Sequence, residues 1–217
     1  MSEYFTDPRV AEVFAQYDAR HKAELESTRD LPPGSFGARR DEFLLPVGAE
    51  VGAFLRALTI ARRPARILEL GTSYGYSTLF LADAARQCGA RVVTVDLDAA
   101  KQSYARERLE EAGLDEFVEF RCGDAVEIVR ADAGEWGLVL LDIWKDLYVP
   151  CFEAVYPRLA EEGLIVSDNM IYPEGARDAV RALREAIRAK GDLQTVLLPL
   201  GSGIELTVRW SAGNAKL

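Results

Sequence analysis

One histidine, three cysteines and two methionines are all the imidazole and sulfur chemistry that this 217-residue chain contains. His21 stands alone on an N-terminal helical stretch, so Ser-His-Asp and Cys-His nucleophilic catalysis are not expected. Cys88, Cys122 and Cys151 lack C-x-x-C spacing, and with a single histidine no zinc site of the usual Cys/His kind can be assembled. No run reaches the ~18 apolar residues of a membrane span. The opening MSEYFTDPRV has no apolar stretch resembling a signal peptide, so a cytoplasmic location is expected. Positive charge is in deficit, with 26 Lys+Arg against 35 Asp+Glu and a net charge of −9. That balance repels phosphate backbones and anionic lipid heads, so neither nucleic acid nor a membrane is an expected partner. Arg39-Arg40 and Arg62-Arg63 are local basic pairs that remain candidate anion contacts.

What is present is a composition 49% apolar and 28% charged, the profile of a globular protein. A chain of this length buries roughly 70% of its unfolded surface, enough for one core without disulfide or metal support. A single domain over 1–217 is therefore expected, with 1–64 as a helical cap and 65–210 as an α/β core.

From residue 65 onward, short apolar β-branched runs alternate with helical patterns, as in a parallel sheet with crossover helices. The runs are ARILEL (65–70), RVVTVD (91–96), FVEFRC (117–122), LVLLD (138–142) and GLIVSD (163–168). They are nearly continuous rather than alternating, which predicts helices on both faces of the sheet. Ser77 and Asp98 are candidate helix caps, Gly113 a stop, and Gly191 the end of a helix carrying Ala176, Val180, Leu183 and Ile187. LQTVLLPL (193–200) and IELTVRW (204–210) are joined only by Gly201-Ser202-Gly203, too short for a crossover, so these two strands must be antiparallel. The expected fold is α/β: a doubly wound, seven-stranded, mostly parallel sheet closing in a C-terminal antiparallel hairpin. Before residue 65 the pattern predicts two helices, one with Val10, Val13, Phe14 and Tyr17 on a face and one with Val47, Val51, Phe54, Leu55 and Leu58. The stretch Thr28 to Arg40, containing Leu31-Pro32-Pro33-Gly34, cannot be continuous helix.

Ligands of open α/β sheets lie past the carboxyl ends of the strands. The first strand runs into Glu69-Leu70-Gly71-Thr72-Ser73-Tyr74-Gly75-Tyr76-Ser77. Its glycines predict close approach of backbone to a ligand, and the following helix aims its N-terminal amides at the same place. The spacing is not G-x-G-x-x-G, and a tight turn accounts for such a loop equally well. Glu69 disfavours a pyrophosphate and suits a cationic ligand. Asp96, ending the second strand, is placed to accept from ribose hydroxyls. Asp142 at the fourth strand's end, with Asp168 and Asn169 at the fifth's, offers oxygen donors only, a set selecting a hard ion such as Mg²⁺. Isolated caps and an Asx turn are the bland alternative. Lys145, three residues past Asp142, is a candidate base beside such an ion. Trp144, on a wet loop, suits an adenine face. The alternation of IELTVRW leaves Glu205 on a polar face.

LVLLDIWKDLY (138–148) and VSDNMIYPEG (166–175), supported by LELGTSYGYS (68–77) and TVDLD (94–98), resemble the metal-dependent catechol O-methyltransferase family of class I methyltransferases, with caffeoyl-CoA O-methyltransferases as more distant relatives. The resemblance covers residues about 44 to 210. It implies S-adenosylmethionine and Mg²⁺ as cofactors and a small aromatic diol as substrate, with the protein a monomer or homodimer. It implies Asp142, Asp168 and Asn169 as Mg²⁺ ligands, Lys145 as the general base, and Glu205 as the acid bonded to the second catechol hydroxyl. Val47, Glu69, Gly71, Ser73, Ser77 and Asp96 match cofactor contacts. Tyr76, Leu97, Asp124, Ala125, Asp142 and Trp144 complete the cofactor set, and Pro173 matches an apolar wall over the substrate ring. Ile143 departs from the animal catechol enzymes, which carry a histidine there. Two rival readings are a non-catalytic adenosyl-ligand binding module and a nicotinamide-dependent dehydrogenase, the latter opposed by the hairpin and the glycine spacing.

Overall fold

A computed structural model describes residues 3–29 and 39–210; the Leu31-Pro32-Pro33-Gly34 stretch and the side chain of Arg40 lie outside the described residues. Seven strands form one sheet in the order β3-β2-β1-β4-β5-β7-β6. The strands are β1 (Arg66–Leu70), β2 (Arg91–Asp96), β3 (Val118–Cys122), β4 (Trp136–Leu141), β5 (Leu159–Ser167), β6 (Leu193–Leu198) and β7 (Ile204–Arg209). The first five are mutually parallel where they pair. β7 lies antiparallel between β5 and β6, so the three-residue Gly201–Gly203 connection is matched by the antiparallel insertion of β7 against the parallel sheet.

Among the described residues seven α-helices accompany the sheet: α1 (Pro8–Thr28), α2 (Ala49–Arg62), α3 (Tyr76–Cys88), α4 (Ala99–Ala112), α5 (Ala125–Ala131), α6 (Tyr148–Val155) and α7 (Arg177–Arg188). They split the core in two. Ile67, Val92, Leu138, Leu140, Val166 and Ile204 pack with residues of α1 to α4 on one face. Leu68, Leu70, Val93, Val139, Leu141 and Ile165 pack with residues of α5 to α7 on the other. Neighbouring strand residues thus go to opposite cores, which is why the runs are apolar without alternation. The N-terminal helices share the first core: Phe5, Phe14, Tyr17 and Tyr76 gather around Phe80 or one another, with Phe5 and Phe80 ring centroids 4.7 Å apart.

Several local expectations need correction. Asp98 does cap α4, accepting from the amides of Ala100 and Lys101, and Gly113 ends that helix in left-handed conformation. Ser77, by contrast, is no cap: Gly75 holds the N-cap position of α3 at φ 88°, and the Ser77 hydroxyl is directed to Glu69. Gly191 does not end α7, which stops at Arg188 with Ala189 as its C-cap. Val47 precedes α2, whose first residue is Ala49, although it is still buried in the core. β4 starts two residues and β5 four residues earlier than the apolar runs suggest. Glu161 and Glu162 within β5 are exposed and masked the strand in the sequence.

Candidate active site

The chain passes from β1 outward to β2 and β3, then returns to β4 beside β1, so the loops after β1 and β4 flank the point where strand order reverses. The first loop is pinned from below. The amides of Gly71 and Thr72 donate to the Val95 carbonyl, and Ser73 N donates to Asp96 Oδ2 at 2.7 Å. Asp96 Oδ1 accepts from Asp98 N at 2.9 Å, so Asp96 organises both the loop and the start of α4.

The glycines serve the protein's own packing. A Cβ on Gly71 would lie 1.9 Å from the Asp142 carbonyl oxygen, and one on Gly75 would lie 2.7 Å from Ala105 Cβ and 3.0 Å from the Tyr17 hydroxyl. The groups nearest these positions are the Asp142 carbonyl just past β4, Ala105 of α4 and the Tyr17 hydroxyl of α1. Tyr17 donates to the Tyr74 carbonyl at 2.6 Å, tying α1 to the loop.

Glu69 is fully buried beneath this loop. Its oxygens accept from Ser77, Thr78 and Thr94, each at 2.6 Å. Burial pushes its carboxyl up to about 7 against the opposing pull of those three hydroxyls. A ligand in the cleft therefore meets Glu69 through hydroxyls rather than directly. Tyr76 is likewise buried, in the aromatic cluster. Leu97 is 65% exposed at the tip of β2 and Trp144 39% exposed after β4, forming an open rim. Asp124 caps α5 by accepting from Glu127 N, with Ala125 buried behind it.

Across the switch point, Asp142 N donates to the Leu70 carbonyl and Asp168 N to the Leu141 carbonyl, so the ends of β1, β4 and β5 are stitched in sequence. Lys145 begins the 3-10 turn Lys145–Leu147. Its Nζ donates to Asn169 Oδ1 at 2.6 Å and to the Tyr148 hydroxyl at 2.5 Å. Tyr148 in turn donates to the Asp168 carbonyl at 2.6 Å. Asn169 is held at φ 57°, a left-handed conformation that asparagine tolerates and that turns its amide toward Lys145. The structure thus brings Asp142, Lys145, Asp168 and Asn169 together.

The charges respond to one another. Burial pushes the Asp168 carboxyl up to about 7, with the Asp142 charge adding, and burial raises Asp142 as well. Burial lowers Lys145 despite both carboxylates. Asp168 Oδ1 is buried without a hydrogen-bond partner. Two carboxylates raised in this way, one with an orphaned oxygen, form a donor set that fits a divalent cation, with the Asn169 amide oxygen as a third ligand. Among the described residues no three His, Cys, Asp or Glu side chains cluster as a metal site, so an ion here would rest on this mixed set.

Glu205 sits elsewhere than the alternation suggested. It is buried, 3% exposed, with its carboxylate enclosed by Arg184 of α7 and Thr195 of β6. Its Oε2 accepts from Arg184 Nε at 2.7 Å and its Oε1 from Thr195 at 3.0 Å. Tyr148 carried no role in the sequence reading; its position three residues after Lys145, on the same turn, was the available signal. Of the basic pairs, Arg39 pairs with Glu42, and Arg62 donates to the carbonyls of Glu161 and Glu162.

Residues 68–170 match the family described as "Methyltransferase domain". The matched span runs from within β1 to just past β5. Within it fall the loop after β1, Asp96, Asp142, Lys145, Asp168 and Asn169; α7 and Glu205 lie beyond it. A catechol O-methyltransferase from Niastella koreensis is 35% identical over 132 residues, which is 58% of this chain and 59% of that protein. The chain thus spans less than two thirds of that relative's length. Caffeoyl-CoA O-methyltransferase 5 from Nicotiana tabacum is 26% identical over 207 residues, covering 86% of this chain and 85% of that protein. The crystal structure of cofactor-bound Rv0187 from MTB covers 94% of this chain and 90% of its own, with a TM-score of 0.73 at 26% identity. The sheet order and terminal hairpin are those of the class I methyltransferase fold.

Proposed function

We propose that the chain transfers a methyl group from S-adenosylmethionine to one hydroxyl of a vicinal dihydroxy aromatic, with Mg²⁺ held by Asp142, Asp168 and Asn169. The observation that carries this reading is the convergence of a buried and a half-buried carboxylate, an amide oxygen and a lysine amine at adjacent strand ends, with Asp168 Oδ1 left without a protein donor. The names of relatives on both sides of the comparison agree with it.

An ion held by Asp142, Asp168 and Asn169 would supply Lewis acidity that lowers the pKa of a diol hydroxyl. Lys145 Nζ, kept partly desolvated and held by Tyr148 and Asn169, takes the proton of that hydroxyl. On the other side of the switch point, the part-exposed Asp96 carboxylate accepts from ribose hydroxyls, and Trp144 covers the adenine. Ser73 and the loop backbone bound the cofactor's amino-acid end, and buried Glu69 adds a negative field beneath its cationic groups. The free thiols Cys88, Cys122 and Cys151 suit the reducing cytoplasm.

The test is methyl transfer from labelled S-adenosylmethionine to a panel of vicinal diphenols, with added Mg²⁺ or with EDTA. Transfer that falls at least about 100-fold with EDTA is the expected result. Undiminished transfer with EDTA would remove the metal from the reading, and no transfer to any diphenol would remove the activity.

A further inference from the structure

A cavity of about 480 Å³ opens directly from Asn169, and α7 lines it with Arg177, Arg181, Arg184 and Arg188 while Pro173 lies at its wall. The spacing i, i+4, i+7, i+11 puts four guanidinium groups along one side of a single helix, over about 16 Å of axis. Val180, Leu183 and Ile187 of α7 are buried toward the core, and Val180 also reaches the cavity wall. Like charges three and four residues apart repel, so this array costs α7 stability and burial of the helix does not require it. Among the described residues no carboxylate lines the cavity, although the chain as a whole carries a charge of −9.

The arginines are neutralised unequally. Arg184 is committed to buried Glu205, with Nη2 2.6 Å from Oε2. The Arg177–Glu174 and Arg181–Asp178 pairs are exposed on both sides, and such pairs hold their cations weakly. Arg188 makes no ion pair among the described residues. The positive field of the cavity therefore survives, and guanidinium groups match carboxylate and phosphate oxygens in fork geometry.

We propose that this cavity is the acceptor's second subsite and that it selects diols carrying an anionic substituent, a carboxylate in the first instance, with Arg181 and Arg188 as the specificity-determining residues. The inference rests on the methyl-transfer reading for the placement of the diol at Asn169. A ring held there by its oxygens extends its substituent into the arginine-lined space. Glu205, on this account, is a positioning residue that orients Arg184 and does not touch the diol.

The experiment is calorimetric titration of 3,4-dihydroxybenzoate, catechol and dopamine into the full chain with S-adenosylhomocysteine and Mg²⁺, alongside turnover of the same three acceptors. The same titrations are run on Arg181→Gln/Arg188→Gln and on Arg130→Gln, an exposed arginine that does not line the cavity, with thermal melts to show that both variants fold. The acid should bind at least ten times more tightly than catechol and dopamine no better than catechol. That preference should collapse toward unity in the double variant and persist in Arg130→Gln. In a further titration with a diol bearing a thioester-linked phosphate carrier, a preference for it over the simple acid would move the anion's source from carboxylate to phosphate and overturn the carboxylate assignment. Equal binding of acid and catechol overturns the subsite even where all three acceptors are methylated. Tight acid binding without methylation of any acceptor supports the subsite and overturns the reaction instead.

Discussion

In the proposed reaction, proton transfer rests on Lys145. Its amine is desolvated yet bracketed by Tyr148 and Asn169, so its position is fixed by two hydrogen bonds while burial lowers its affinity for a proton. Lys145→Met should reduce turnover by about 10² to 10⁴, the usual contribution of a positioned base, while S-adenosylhomocysteine affinity by calorimetry stays within severalfold. Equal losses in both would make the lysine a structural member only. Glu69 offers a contrasting test. Its carboxyl is raised from the ordinary value to about 7, so the folded chain binds a proton more readily than the unfolded one. The wild type should therefore lose stability as pH rises from about 4.5 to about 7 and show no further loss from this group above that. The full loss is of order 3 kcal/mol at about 1.4 kcal/mol per pH unit of separation. Urea midpoints of wild type and Glu69→Gln at pH 5 and 8 check it: the difference between them should shift in the variant's favour at the higher pH.

At the scale of elements, the loop between β1 and α3 is set by what stands against it. Gly71 has φ 103° and meets the Asp142 carbonyl where a side chain would begin. Gly71→Ala should destabilise the fold by more than about 2 kcal/mol, read as a lower urea midpoint, because both the backbone and the β4 junction must move. The five parallel strands, their helices and the antiparallel hairpin were legible from the chain because strand runs, helical spacing and a three-residue connection are local signals. The boundaries of β5 were less so, since exposed Glu161 and Glu162 lie within a strand only because Leu159 and Leu164 pair with β4. Ser77 failed as a cap because the helix already begins at Tyr76, and its hydroxyl donates to Glu69 near the end of β1 instead of accepting from a helix amide. The commitment of Glu205 to Arg184 was hidden too, because twenty-one residues separate them and only the packing of α7 over β7 joins them.

For the whole molecule, the sheet's order turns residues scattered from 69 to 169 into one cleft, with the proposed cofactor contacts mostly on the β1–β2 side and oxygen donors on the β4–β5 side. The identities of Asp142, Lys145, Asp168 and Asn169 were readable as short strings at strand ends. Their mutual geometry was not, because it depends on register: Leu141 pairs with Ser167, and this brings the next residue of each strand to the same level. The arginine face of α7 was equally visible as spacing but meaningless until a cavity appeared beside it. All of these features converge on the claim that Asp142, Asp168 and Asn169 hold one divalent ion. Titrating Mg²⁺ into the S-adenosylhomocysteine-loaded protein by calorimetry addresses that claim most directly. Wild type should take up one ion per chain in a saturable isotherm that Asp168→Ala abolishes; the absence of saturable uptake in the wild type, or an isotherm unchanged by the substitution, would contradict it.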